Sequence, residues 1–450
     1  MNYDVIVIGG GSAGLVAAKF VHGLGKRTAI VEKRKLGGDC THYGCVPSKA
    51  LIHLSGTDKS NVMSMVRALV DEIYSHETPD VLRGEGIDVI EGSPVFDNSS
   101  TITVNNKKYT AKKFILCTGS SPLIPDIKGL SDIDYLTNET LFGMDELPES
   151  IAVLGGGPIG VEMAFALNRL GVDTAIIEMA ERILPRDDQE LSERLRAKLE
   201  ADGIKILTGT KVAAVRQADG FAVLETSGAV DEVRAVRVLA AAGRVPNLKG
   251  LALERAGVEY DRNGVRTDRY LRTTAKNIYA AGDIVPPYKF THVADYEAVT
   301  AVRNALLPFR KAADYSCVGW CTYTEPELAG FGLTEKEAAE RYGSGNIRVF
   351  RYDYKGLDRA ITDFAAEGLA KYITDRKGRI LGAHMLGNRA GETIHEVMLA
   401  KRFGIRFQKI ADMVHIYPTY SYAVRQPSKY AAVEMLMDNY FIKLIRRLRK

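Results

Sequence analysis

The feature that most constrains this chain is an internal repeat. DVIVIGGGSAGLVAAKFVHGLGKRTAIVEK, from Asp4, aligns without a gap on SIAVLGGGPIGVEMAFALNRLGVDTAIIEM, from Ser150, at a fixed offset of 146. Gly9, Gly11 and Gly14 fall on Gly155, Gly157 and Gly160, and Glu32 falls on Glu178. Each copy reads as an apolar strand, a glycine turn, an amphipathic helix, a Gly break and a second apolar strand ending in an acid. Two such copies predict two α/β units, each with parallel strands wound by helices.

The same residues form a dinucleotide-binding fingerprint. The first Gly permits the tight turn, the second lets backbone approach a pyrophosphate, and the third lets helix and strand pack closely. In the first copy, Ser12 opens the helix, whose free N–H groups and positive dipole end face the phosphates. The acid, 23 residues past the first Gly in each copy, suits a ribose hydroxyl. Two sites imply two dinucleotides, and so an electron relay between them. Glu178 accepts from a free ribose hydroxyl and repels a 2′-phosphate, and Arg182 lies beyond the strand end, so NADH is expected over NADPH.

Three further strand ends share the small-residue character needed where backbone passes a cofactor. FILCTGS, 114–120, offers Thr118 and Gly119, and NIYAAGDI, 277–284, ends near Asp283, a carboxylate suited to a ribitol or ribose hydroxyl. AAGRVPN, 241–247, which contains Gly243, closes the middle domain.

LGGDCTHYGCVPSK, 36–49, holds Cys40 and Cys45, two of five cysteines. A zinc site needs further ligands; His42 and Asp39 are available, but no second Cys or His cluster adjoins them. Pro47 suits the first turn of a helix, which places Cys45 at a helix N-terminus. The positive dipole end there favours a thiolate, so the pair reads better as a redox couple.

Composition narrows the class. The chain has 450 residues, enough for two or three domains, and 60 basic against 56 acidic residues give a net charge of +4. That balance argues against nucleic-acid binding as the main task. No apolar run reaches membrane-spanning length, and a strand entered by Tyr3 leaves no room for a signal peptide. A cytoplasmic location is expected, where structural disulfides are rare.

Taken together, GGGSAG, GGDCTHYGCVPSK, CTGS, GGGPIGVE, AAGRVPN, AAGD and YTEPELAGFGLTEKEA resemble the flavoprotein disulfide reductases of the pyridine nucleotide-disulfide oxidoreductase family. The likeness is to dihydrolipoamide dehydrogenase and to the mercuric-reductase-like branch. It implies a FAD domain over 1–148 and 275–310, an NAD domain over 149–274, and an α+β interface domain over 311–450 that pairs two subunits as a homodimer. Cys40 would be the interchange thiol, Cys45 would pack against the flavin, and Lys49 would approach the flavin and pair with Glu162.

The C-terminus departs from that pattern. Disulfide-reducing members carry His-Pro-Thr-x-x-Glu, whose His shuttles protons for the interchange thiol across the dimer interface. Here HIYPTYSY, 415–422, puts Tyr417 at the His place and Tyr422 at the Glu place. A phenol with a pKa near 10 exchanges protons poorly at neutral pH. A metal ion held by thiolates needs no such shuttle, which makes a metal-ion acceptor a serious candidate, although the C-terminal cysteine pair of mercuric reductase is not present here. Two substitutes for the base are His42, between the cysteines, which could polarise Cys40, and His415, which in a strand would point the same way as Tyr417 and could reach the site from the partner subunit.

Cys317 and Cys321 fall four apart on an apparent strand, about 13 Å apart and too far for a direct disulfide; they and Cys117 read as core residues. The last ten residues, FIKLIRRLRK, form a basic, apolar segment for which peripheral membrane contact is one reading and a solvated helix end the commoner one. Three functions remain open: an NADH-dependent reductase with a metal-ion or unusual disulfide acceptor, including a dihydrolipoamide dehydrogenase-like activity; a flavin dehydrogenase reducing a quinone directly; and a redox-sensing flavoprotein.

Overall fold

The strand Asn2–Ile8, whose last four residues are all buried, lies between Thr28–Glu32 and Lys107–Leu116 at the centre of a parallel sheet that continues to Asp88–Glu91 on one side and Ile278–Ala280 on the other. In the computed structural model, which describes residues 2–57, 61–228 and 230–438, this sheet gains a short antiparallel flap, Val95–Asn98 and Thr101–Val104. The second repeat builds a five-stranded parallel sheet in the order Lys205–Leu207, Asp173–Ile177, Ser150–Leu154, Arg237–Ala240, Tyr135–Leu136. The chain then closes with a five-stranded antiparallel sheet, Gly319–Thr322 to Ile380–Gly387, backed by the helix Ala390–Arg402.

The two fingerprints fold alike in detail. Gly9 has φ +102° and Gly155 φ +118°, and an added Cβ would overlap the carbonyl of Cys117 or of Ala241 on the neighbouring strand. Gly14 and Gly160 sit where a Cβ would run into the first glycine's carbonyl, so helix and strand touch there. The helices Ser12–Gly23 and Pro158–Arg169 start from extended caps, Gly11 at φ −78°, ψ −167° and Gly157 at φ −77°, ψ 177°.

Leu248, Leu251, Leu253, Val258, Val265 and Leu271 pack into the core of the first sheet. The chain passes between the two sheets at the two-stranded ribbon of Ser120–Pro122 with Arg244–Pro246, and apolar residues after it complete the first core. Tyr135–Leu136 likewise belongs to the second sheet. Leu51, Ile52 and Leu54 of the helix Cys45–Ser55 share a core with Val161, Phe165, Leu328 and Leu386, which locks all three units around one junction. Among the described residues, no helix is long and apolar enough to cross a membrane; the segment 441–450 lies outside the described residues.

Candidate active site

One continuous cleft of about 3430 Å³ runs past both glycine turns and the cysteine pair. Its walls fit the two dinucleotides that the repeat implies. A Cβ placed on Gly157 meets nothing within 4 Å, and one on Gly11 meets only the Cα of Gly38, so both turns leave room at the helix N-termini. Each terminal acid is held the same way. Glu32 accepts from the N–H of Gly10 at 2.6 Å and of Arg34 at 2.7 Å. Glu178 accepts from the N–H of Gly156 at 2.6 Å and of Ala180 at 2.7 Å. Arg182 donates to the carbonyls of Asp187 at 3.0 Å and Pro185 at 2.6 Å.

The sulfur pair sits where the first turn meets the junction. Cys40 lies within the short helix Gly38–His42, and Cys45 opens the helix Cys45–Ser55, with Pro47 inside its first turn. Thr291, first residue of the helix Thr291–Leu306, places its hydroxyl 3.3 Å from each sulfur. The Cys45 thiol is pulled down by the hydrogen bond from Cys40, helped by Thr291 and by the charge of Lys49. Cys40 is pushed up by that same bond and by burial. Cys45 is thus the more acidic thiol of the pair and Cys40 the less acidic.

Lys49, one turn beyond Cys45, donates to Glu162 at 2.8 Å; Glu162 is nearly buried, at 6% side-chain exposure. The other Glu162 oxygen accepts the Tyr323 N–H at 3.0 Å, and the ammonium lies 4.5 Å from the centre of the Tyr323 ring. One carboxylate therefore ties together residues of all three units. Thr118 and Gly119 lie at the turn after the strand Lys107–Leu116, and Asn247 holds both, donating to the Thr118 carbonyl at 3.0 Å and to that of Gly119 at 2.9 Å. Asp283 accepts from Ser120, and Ser12 lines the cleft beside Gly11. Gly243, at φ +133°, adjoins Arg244, whose guanidinium lies 3.2 Å from Asp39 and 3.7 Å from Asp283. Beneath them the buried Glu297 accepts from the Gly282 N–H at 2.8 Å and the Tyr315 hydroxyl at 2.6 Å, and burial raises its carboxyl to about 7.

The two candidate bases each have a partner within the subunit. His42 directs Nε2 to the Leu36 carbonyl at 2.7 Å and packs edge-on against Tyr74, so its nitrogen serves its own loop rather than Cys40. His415 and Tyr417 do not point the same way, because residues 413–417 pair with no strand. His415 turns inward to Glu396 on the helix Ala390–Arg402, at 2.7 Å. Tyr417 is 62% exposed and donates to Asp358 at 2.9 Å, with the Tyr422 ring edge-on at 5.5 Å. Cys317 precedes the strand Gly319–Thr322 rather than lying on it, Cys321 is held on it, and burial raises the thiols of Cys321 and Cys117.

Thr291, Arg244, Asn247, Glu297 and Tyr323 escape a reading by spacing, since each meets the site from more than 100 residues away in sequence or through its neighbour's backbone. Only Arg244 and Asn247 carry a local sign, the AAGRVPN turn.

Comparison with known proteins gives this geometry its family. Residues 3–298 match the model for pyridine nucleotide-disulphide oxidoreductases, and residues 318–427 match the dimerisation domain of the same family. A mercuric reductase of Staphylococcus aureus is 31% identical, with 93% of this chain and 80% of the relative covered. A dihydrolipoyl dehydrogenase of Bacillus subtilis is 32% identical, with 94% and 96% covered. Among solved structures, the Cu(II) complex of the HOCl-induced flavoprotein disulfide reductase RclA from Escherichia coli superposes with a TM-score of 0.89 at 27% identity, covering 96% of this chain and 99% of that one. With its two glycine turns, its sulfur pair and its third unit all accounted for by one set of relatives, the chain belongs to the pyridine nucleotide-disulphide oxidoreductase family, FAD-containing enzymes with NAD(P)H as electron donor.

Proposed function

We propose that this protein is a homodimeric, NADH-dependent reductase that passes an electron pair through Cys40 and Cys45 to a thiolate-bound metal ion of the Cu(II) or Hg(II) class. What supports the reading is a tyrosine at 417 where the family's sequence pattern has histidine: Tyr417 is hydrogen-bonded to Asp358, and within the subunit His415 pairs with Glu396. Bound FAD would supply the hydride-accepting chemistry that links the nicotinamide to the sulfur pair.

The residues of this chain do the rest. Gly155, Gly157 and Gly160 seat the nicotinamide dinucleotide, and Glu178 meets its ribose; with Arg182 committed to backbone carbonyls, NADH suits the site better than a 2′-phosphorylated donor. Gly9, Gly11, Ser12, Gly14, Glu32, Thr118, Gly119 and Asp283 form the FAD cradle. Beside the hydrogen bonds from Cys40 and Thr291, Lys49, fixed by Glu162, keeps positive charge near Cys45 and favours its thiolate. Thr291 steadies both sulfurs. Opening the disulfide takes two electrons and one proton and leaves the Cys45 thiolate and the Cys40 thiol. Cys40 gives up its proton when it binds a metal ion, and two Cu(II) leave as two Cu(I), or one Hg(II) as Hg(0), as the disulfide closes again. No leaving thiol needs a proton in that step, so a phenol at 417 is no handicap. The likeness to mercuric reductases and to a flavoprotein solved with Cu(II) supports the metal class.

The test is an anaerobic NADH titration followed by an acceptor panel of Cu(II), Hg(II), lipoamide, oxidised glutathione and a quinone. Metal reduction that Cys40→Ser abolishes is the expected result. Rapid lipoamide turnover, or quinone reduction untouched by Cys40→Ser as the dominant activity, would overturn the reading.

A further inference from the structure

Where the ribbon returns from the second unit, one guanidinium meets two carboxylates. The Arg244 side chain, 12% exposed, lies 3.2 Å from Asp39 and 3.7 Å from Asp283. Its Nε donates to the Ser120 hydroxyl at 2.7 Å and an Nη to the Ser120 carbonyl at 2.9 Å, which fixes the fork on the opposite strand of the ribbon. Lys289 in turn donates to the Arg244 carbonyl. On the far side, Asn138 donates to Asp39 at 3.1 Å and to the Tyr43 carbonyl at 3.0 Å.

Asp39 immediately precedes Cys40 in the five-residue helix Gly38–His42. The residue before that helix, Gly37, bridges to Gly11, so backbone pins its start to the FAD turn. Its Asp39 side chain is pinned by Arg244 and Asn138. A helix of five residues has little rigidity of its own, so these anchors set where the Cys40 sulfur stands relative to Cys45. A disulfide tolerates only a narrow window, with Cα atoms about 4.4–6.8 Å apart.

We propose that Arg244 is a positioning residue for the redox pair: acting through Asp39, it holds the Cys40 helix where the two sulfurs close into a disulfide. The proposal rests on the reading of Cys40 and Cys45 as the redox couple. Loosening the anchor gives the open dithiol more freedom and leaves the disulfide to bear the constraint alone. The equilibrium then moves toward dithiol. The balance is an exchange: two thiols give two electrons and two protons to an external disulfide, which leaves as its own dithiol while the Cys40–Cys45 bond forms.

The experiment equilibrates the FAD-loaded protein anaerobically in buffers of oxidised and reduced dithiothreitol. The cysteines are then alkylated, and the state of each peptide is read by mass spectrometry. Arg244→Lys keeps the charge and loses the planar fork; Asp39→Asn removes the ion pair with little change of shape. Each shifts the dithiol-to-disulfide ratio about tenfold toward dithiol, a midpoint less negative by about 30 mV. The double variant shifts it no further than either single one, because both break the same link. Retained flavin absorbance shows that the cradle survives, and if Arg244→Lys loses FAD, Asp39→Asn decides alone. An unchanged ratio in flavin-loaded Asp39→Asn overturns the proposal, as does a roughly hundredfold, additive shift in the double variant, which would route the effect past Asp39. A parent protein in which Cys40 and Cys45 never interconvert would instead refute the redox couple itself, and the anchor's role with it.

Discussion

The two glycine repeats make the same frame and then part company. Gly9 and Gly155 accept strain of the same kind, and Glu32 and Glu178 hold the following turn by the same pair of N–H groups. The next contact also matches: the Gly37 N–H reaches the Gly10 carbonyl at 2.8 Å, and the Leu184 N–H reaches that of Gly156 at 2.8 Å. Beyond it the first copy continues into two short helices carrying Cys40 and Cys45, whereas the second continues into Pro185 and the buried acids Asp187 and Asp188. A dinucleotide frame is thus neutral about chemistry; the residues that follow its acid decide it. On the function proposed above, the first copy serves electron transfer to sulfur and the second the nicotinamide donor.

The sharpest way to break this contrast is to take the sulfurs out of the first copy. Cys45→Ser should lower acceptor reduction by about 10³-fold or more, while NADH still bleaches the bound flavin in an anaerobic stopped-flow trace. Next in size is a change in the second copy. Glu178→Ser removes a carboxylate from the ribose site, and the ratio of kcat/KM for NADH over NADPH should fall by about 10- to 100-fold, the worth of a charged hydrogen bond.

How much of this contrast is legible in the sequence depends on how local the signal is. Both frames, the acid at each strand end and the helix start at Cys45 lie in contiguous motifs, so spacing alone reveals them. The anchors of the sulfur pair do not. Thr291 and Arg244 come from strands and helices that only the tertiary fold brings to Cys40, and nothing in their neighbourhood says which carboxylate or sulfur they will meet. The same holds for the return at 244–246. The apolar run after it looks like any other, and which of two cores it joins is a matter of packing. His42 and His415 show the same limit: position in sequence does not say which acceptor a histidine meets within the subunit, here the Leu36 carbonyl and Glu396.

Two smaller effects sharpen the comparison through charge. Lys49 lowers the Cys45 thiol, which sits at about 6 with its partners in place. Lys49→Met removes the favourable charge, so the midpoint for Cys45 alkylation in the reduced protein should rise, by about one unit or 1.4 kcal/mol. An unmoved midpoint would leave the lowering to the hydrogen bonds from Cys40 and Thr291, with no share for Lys49. Glu297, at about 7, binds its proton more tightly folded than unfolded. Its contribution to stability is complete below the ordinary carboxylate range and is lost as pH rises through 7. Glu297→Gln keeps an acceptor for Gly282 and carries no charge, so the Tm should rise by a few degrees at pH 8 and stay level at pH 5.

The central claim is that electrons from the nicotinamide come to rest on Cys40 and Cys45. It is tested by adding one equivalent of NADH without oxygen, quenching with an alkylating reagent and mapping the labelled cysteines. The account predicts label on both Cys40 and Cys45, little before reduction, and flavin returned to its oxidised absorbance. Reduced flavin beside an intact Cys40–Cys45 disulfide would contradict it.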